Sequence, residues 1–376
     1  MAAVLGLLSL LTWLYLLLAR GSFWRMSVKS SAPPASTAPV VAVIPARDEA
    51  DLIGDTVRSL LQQTHAGPLH VIVIDDASTD GTADAASSAA AAIGASDRLI
   101  VVRGAPLPAG WTGKLWAMSQ GVQAAAPLNA EFLLFTDADI HHEAGAVAAM
   151  VGRAESEQFD LVSCMVELRA QTLPEKLLVP AFVFFFFMLY PPNWIASPRA
   201  RAAGAAGGCM LMRPRALTAM GGLETIRSAL IDDCALARAA KASGARIWLG
   251  LTRRSRSTRA YGSFGAVGRM ISRTAFNQLR HSYLLLGATL AGLCLTYLVP
   301  PLLLLSGDPI SMVLGVGGWL LMSLAYWPIV RFYRLPAPWV LTLPAVAVFY
   351  AAATAHSAVQ YGLHRGGQWK GRIQDV

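Results

Sequence analysis

From residue 39 the chain alternates two apolar rhythms. Short runs of β-branched and aliphatic residues, "PVVAVIPA", "LHVIVIDD", "RLIVVRG" and "AEFLLFTDAD", are separated by helical, Ala-rich segments such as "DLIGDTVRSLLQQ" and "TADAASSAAAAIG". Strands apolar on both faces and alternating with helices predict an α/β domain with a mostly parallel sheet and helices on each side. Ligands of such sheets bind at the carboxyl ends of the strands. Polar residues gather there: "ARDE" after the first strand, "DDASTDG" after the second and "TDADIHH" after the fourth.

Both ends of the chain are apolar for long stretches. Residues 1–20, "MAAVLGLLSLLTWLYLLLAR", are just long enough to cross a bilayer. Arg20, Arg25 and Lys29 follow the run and no cation precedes it, which predicts an uncleaved anchor with the next domain in the cytoplasm. Residues 21–38 read as a Ser/Pro/Ala linker. Three further runs, 283–305, 310–330 and 339–361, form a C-terminal membrane segment over 283–362, ahead of a basic tail at 363–376. Arg331 and Arg334 ask to be cytoplasmic, and so does the tail, which one simple crossing between them cannot satisfy; a re-entrant or interfacial pair would.

Residues 177–196, "LLVPAFVFFFFMLYPPNWIA", look like another span. Pro180 and the Pro191–Pro192 pair leave only about ten uninterrupted residues, so the segment is expected to dip into the cytoplasmic leaflet, or else to be a buried core helix. A crossing there would put the acids before and after it on opposite sides of the membrane.

Composition supports the membrane reading: mean hydropathy is +0.47 and only 14% of residues are charged. A net charge of +8 then reports arginines beside anionic lipid rather than nucleic-acid binding. Cys164, Cys209, Cys234 and Cys294 stand singly, with no disulfide or zinc spacing, as suits a reducing compartment.

The acidic pair in "TDAD" is the first candidate chemistry. Asp137 and Asp139 would repel each other unless a cation sat between them or their pKa values moved, and Mg²⁺ or Mn²⁺ is held by such carboxylates together with substrate phosphates. Alternatively Asp139 caps a helix starting near His142. "DDASTDGT" offers Asp75 and Asp76 to a ribose or base, or forms an ordinary Asx turn. In "GWTGK" no phosphate loop is present; Lys114 is either a point charge for a diphosphate or a solvated lysine. Asp232 and Asp233 in "IDDCALA" are helix N-terminal acids or, in Asp233, a base.

Together "IPARDE", "DDASTDGT", "GWTGK", "TDAD", "GGCMLMRP" and "IDDCALA", in this order, resemble the inverting glycosyltransferases of family 2, with the Rossmann-like GT-A fold, over residues 39–282. The apolar ends resemble the membrane-bound branch that includes ceramide glucosyltransferases. "RTAFNQLRHS" and "HRGGQWKGR" are similar to the hopanoid-biosynthesis-associated enzymes of bacteria. The resemblance implies a bacterial inner-membrane enzyme that moves one sugar from a nucleotide sugar, by family default UDP-linked, to a lipid acceptor. It implies that Pro45, Ala46, Arg47, Glu49, Asp75 and Asp76 hold the nucleoside. Asp137 would contact ribose or metal, Asp139 would be the main ligand of Mn²⁺ or Mg²⁺, and Lys114 and Arg273 would face the diphosphate. Gly207 and Gly208 would let backbone approach the sugar or acceptor, and Asp233, beside Asp232, would be the general base. "MISRT" departs from the family's Q-x-x-R-W: Arg273 fits, while Met270 and Thr274 replace Gln and Trp. That motif helps processive synthases hold a growing chain, so its loss favours single transfer over the alternative of a processive synthase. A non-catalytic membrane scaffold is the remaining reading.

Overall fold

The computed structural model describes residues 1–26 and 36–363, plus the backbone of 368–369 and 372–373. Lys29 and nearly all of "HRGGQWKGR" therefore lie outside the described side chains. Helix α1 is Ala2–Leu18. The catalytic region follows as β1 Val40–Ala46, α2 Ala50–Leu61, β2 Leu69–Asp75, α3 Thr82–Ala91, β3 Leu99–Arg103, α4 Gly113–Ala125 and β4 Phe132–Thr136. Next come β5 Ile140–His142, α5 Ala146–Ser156, β6 Leu161–Glu167, α6 Leu173–Leu189, α7 Pro192–Ala196, β7 Cys209–Met212 and α8 Pro214–Ala219. It ends with α9 Asp232–Ala242, β8 Ile247–Ser257 and α10 Phe264–Gln278. The apolar tail holds α11 Tyr283–Leu293, α12 Val299–Leu303, α13 Pro309–Phe332 and α14 Leu343–Gly362.

Eight strands form one sheet in the order β3-β2-β1-β4-β7-β6-β8-β5. The sheet is mixed: β3, β2, β1 and β4 pair in parallel and so do β6 and β8, while β7 runs against both β4 and β6, and β5 against β8. The reversal has a consequence for the site. Because Thr136 at the end of β4 pairs with Cys209 at the start of β7, Gly207 and Gly208 arrive at the same sheet edge as "TDAD".

Side-chain alternation divides the core in two. Val40, Ala42 and Ile44 of β1 pack with α2, α3 and α5 through residues such as Ile53, Ala86 and Val147. Val41 and Val43 face the other way, onto α4 and α9. That second core runs without a break into the apolar helices, reaching Trp13, Phe184, Tyr297 and Tyr326. Gly121 permits the α4 contact: a Cβ there would lie 2.3 Å from Val43 Cγ1.

Helix α6 corrects the expectation that Pro180 breaks it. A capping box of Thr172 and Glu175 starts the helix, and it runs 17 residues through Pro180. Its aromatic run is enclosed: Phe184 meets Phe23 and Tyr326, with ring centroids at 5.4 and 5.3 Å, and Phe185 meets Tyr297 and Tyr350. Dense ring packing holds the helix through one missing backbone hydrogen bond. Among the described residues four helical stretches are long and apolar enough to cross a membrane: Leu173–Ala196, Tyr283–Leu303, Pro309–Phe332 and Ala337–Gly362. Helix α1 is shorter than these and carries exposed Leu7, Leu11 and Leu18 while packing on α13.

Candidate active site

The three loops at the carboxyl ends of β1, β2 and β4 are knitted by side chains that the turns select. The Asp48 carboxylate accepts from Thr79 N (2.9 Å), Ser78 Oγ accepts from Asp48 N (3.0 Å), and Thr82 Oγ1 accepts from Glu49 N (2.8 Å). Asp48 and Ala77 adopt positive φ to make these turns. Arg47 donates to the Asp76 carbonyl (2.6 Å) and lies 3.7 Å from the buried Asp76 carboxylate, while Asp75 Oδ1 accepts from Ser78 N (3.0 Å). Pro45, Ala46, Arg47, Glu49, Asp75 and Asp76 therefore lie together at one corner of the sheet edge.

Asp137 and Asp139 follow β4 directly. Asp139 is not a helix cap: β5 follows it, and α5 begins only after Gly145. Its Oδ2 accepts from Ser257 Oγ (3.0 Å) and Arg259 Nε (2.9 Å), and Arg259 Nη2 also donates to Glu49 Oε1 and Oε2 at 2.6 and 2.7 Å. Asp137 pairs with Lys114 at 2.8 Å. Lys114, in the first turn of α4, is not a solvated surface lysine; it also pairs with Asp232 at 3.1 Å. Burial alone would lower its pKa, but Asp137 and then Asp232 hold it above the usual lysine value.

Asp232 and Asp233 open α9. Asp233 Oδ2 accepts from Gly207 N (2.8 Å) and Oδ1 from Cys234 N (2.7 Å). A Cβ on Gly207 would come within 3.3 Å of Asp233 Oδ2 and 3.4 Å of Lys114 Nζ, so only glycine fits without displacement. Burial, followed by the charge of Asp232, pushes the Asp233 carboxyl up to about 6; Lys114 and the two amides offset part of that rise. Behind Gly208, Thr136 Oγ1 donates to the Gly208 carbonyl (2.8 Å), and His142 Nε2 bonds Thr136 Oγ1 (3.0 Å) while Ser255 Oγ takes Nδ1 (2.9 Å). That network satisfies a neutral imidazole, and burial followed by His141 lowers His142 to about 3. His142 is a buttress, away from the acids' open side.

Arg273 stands near Tyr261, whose phenol feels its charge together with those of Asp139 and Arg259. Arg273 is exposed on α10 and bonds none of these acids among the described residues. Arg259, by contrast, touches two of them, and sequence reasoning passed over it because it stands in a stretch of eight arginines, residues 246–280, with no motif of its own.

The donor set suits a hard divalent cation. Asp137 is part-exposed, Asp139 engages Ser257 and Arg259 through Oδ2, and among the described residues no group of three or more His, Cys, Asp or Glu is placed to hold a metal ion by itself. One or two carboxylates completed by phosphate oxygens is the usual arrangement for Mg²⁺ and Mn²⁺.

Comparison with known proteins agrees with this geometry. The chain aligns with 94% of its length to a mannosyltransferase from Pyrobaculum calidifontis, solved with GDP-Man and Mn²⁺, at 18% identity, 99% coverage of that chain and a TM-score of 0.57. Further matches are S. aureus TarS (18% identity, 64% of this chain and 40% of that one, TM-score 0.41) and M. tuberculosis glucosyl-3-phosphoglycerate synthase (18%, 65% and 80%, 0.40). No curated protein sequence matches. The profile described as "Glycosyltransferase like family 2" matches residues 38–275. The profile covers more than half of the chain, which therefore belongs to glycosyltransferase-like family 2 and is a nucleotide-sugar-dependent glycosyltransferase of the GT-A fold.

Proposed function

We propose that the protein transfers a single sugar, with inversion, from a nucleotide sugar to a membrane lipid, with Asp233 as general base and Asp137 and Asp139 holding a divalent cation with the donor diphosphate. The observation that supports this division is Lys114, whose ammonium touches Asp137 on one side and Asp232 on the other, so the donor acids and the α9 acids share one chamber. Asp139 and Asp233 then serve opposite ends of the displaced bond.

The chemistry assigns each group a task. Pro45 to Glu49 with Asp75 and Asp76 hold the nucleoside. Mn²⁺ or Mg²⁺ would supply charge neutralisation for the leaving diphosphate. Asp233, with one lone pair on each oxygen engaged by an amide, keeps the others for the acceptor hydroxyl. Its raised pKa makes it a stronger base than an ordinary carboxylate while it remains ionised above pH 6. Displacement in line, without a covalent intermediate, inverts the anomeric carbon.

A lipid acceptor is supported by the core that the sheet shares with the apolar helices, in which Ala206 and Cys234, the chain neighbours of Gly207 and Asp233, join the buried face of α6. A hopanoid, a ceramide-like lipid or a polyprenyl phosphate would each suit, and the likeness of "RTAFNQLRHS", which spans the end of α10, favours the hopanoid pathway of a bacterial inner membrane. Arg273 remains a candidate only for a donor-bound state, since among the described residues it bonds none of these acids. The test is thermal stability of the detergent-purified chain with UDP, GDP and their sugars, with and without Mn²⁺. One nucleotide diphosphate is expected to stabilise the wild type only with metal, and Asp139→Asn is expected to lose that response. No response to any nucleotide would leave the scaffold reading in its place.

A further inference from the structure

The turn 258–262 leaves β8 and crosses the donor-side acids, held at three points. Thr258 N and Oγ1 both donate to the Asp139 carbonyl (2.9 and 3.0 Å). Arg259 reaches the Asp139 and Glu49 carboxylates. Tyr261 N donates to Glu175 Oε1 (2.7 Å). Glu175 is fully buried at the start of α6, where it also accepts from Gln171 N, Thr172 N and Arg169. The strap is thus anchored in the apolar helix layer at one end and lies against the candidate metal ligands at the other.

We infer that Arg259 is a built-in counter-ion of the donor site: it holds Asp139 and Glu49 before the donor arrives, yields Asp139 to the divalent cation, and turns its guanidinium onto the donor diphosphate. The inference rests on the donor-site reading of Asp137 and Asp139. Without a metal, each acid of the pair already has one cation, Lys114 for Asp137 and Arg259 for Asp139. A divalent ion bound to Asp139 would sit beside a guanidinium held 2.9 Å from the same carboxylate, and like charges so close repel strongly. A diphosphate entering with the metal removes the conflict, because it offers the displaced guanidinium a matched pair of oxygens. Arg259 is 31% exposed on a turn, so its side chain has room to rotate. Metal alone should therefore bind weakly, and metal with diphosphate tightly.

The test is titration calorimetry of the full chain in detergent with Mn²⁺ alone, and then of UDP and GDP at fixed Mn²⁺, for wild type, Arg259→Gln and Arg259→Lys. Arg259→Gln is expected to bind Mn²⁺ alone on the order of tenfold more tightly, because a repelling charge is gone, and the nucleoside diphosphate more weakly. Arg259→Lys keeps the charge and loses the fork. It should bind Mn²⁺ alone as wild type does, within about twofold, yet lose about tenfold or more in diphosphate affinity. Opposite signs for metal and diphosphate are what a purely structural role would not produce. Unchanged or weaker Mn²⁺ binding by Arg259→Gln overturns the inference. Should that variant fail to unfold cooperatively, Arg259→Lys decides, and wild-type diphosphate affinity there overturns it. If wild type and Asp139→Asn both ignore Mn²⁺ with and without nucleotide, the donor-site reading falls and this inference with it.

Discussion

Asp233 carries two duties that pull its chemistry in different directions. As an α9 first-turn acid it is stabilised by amides and the helix N-terminus, while burial and Asp232 make its charge costly. Below pH 6 the proton stays on, so turnover is expected to rise with pH through about 6 and then level. Asp233→Asn should lower the transfer rate about 10²–10⁴-fold with the melting temperature preserved, measured on a lipid acceptor with radiolabelled donor. Lys114 makes a separate prediction. Lys114→Met keeps the stem but strips the charge from between Asp137 and Asp232, which should cost about 3 kcal/mol of stability in denaturant titration. Because Lys114 holds the Asp233 pKa down, the same variant should move the acid limb of the pH–rate profile to higher pH. The acids in this pairing were legible as candidates from "TDAD" and "IDDCALA". Lys114 was legible as a candidate through "GWTGK", but its pairing with Asp137 and Asp232 was not, since ion pairs between residues so far apart in sequence leave no local pattern, and Arg259 carries no motif of its own.

At the scale of elements, the strand–helix alternation was readable because each β-run is short, apolar and bounded by turn residues. Direction within the sheet was not, because a four-residue strand such as "CMLM" looks the same whether it runs with or against its neighbours. Pro180 misled for a related reason: propensity describes a helix alone, and α6 is held by ring packing on several sides. Helix α10 pairs with α14. Phe264 and Gly268 meet Phe349, Phe276 accepts Tyr361 edge-on, and Ser357 Oγ bonds backbone of Ser272 and Phe276, so the two helices run side by side. Helix α14 is long and apolar enough to cross, but α10 exposes Arg269 and Arg273, and on that charge pattern the expected outcome is that α14 lies at the membrane surface beside it. Arg253 bonds the carbonyl of Phe332 (2.7 Å), which sets the end of α13 beside the catalytic sheet. Cysteines placed at Arg334 and at Leu363 should accordingly be labelled by an impermeant maleimide from the same face of sealed vesicles. Labelling from opposite faces would restore a true crossing by α14.

For the whole molecule, one hydrophobic core joins the sheet to the apolar helices: β1 through Val41 and Val43, α4 through Leu115, α6 through Phe184, and α13 through Tyr326. Two regions that the hydropathy of the chain separates cleanly, a nucleotide-binding domain and a membrane segment, therefore fold as one packed unit. Composition foretold long apolar helices, but no periodicity could foretell that the aromatic run of 182–187 would be the hub between them and the sheet. Glu175 stands where that hub meets the strap over the donor acids, its carboxylate fixed to the amide of Tyr261. A helix that spans or leans on a bilayer changes its tilt with hydrocarbon thickness. On the proposed function, a change of tilt in α6 would pull on the strap over the donor acids: in proteoliposomes of short-chain against long-chain phospholipids the KM for donor is expected to shift while the pH profile of transfer is kept, which would make the bilayer a rheostat for the donor site.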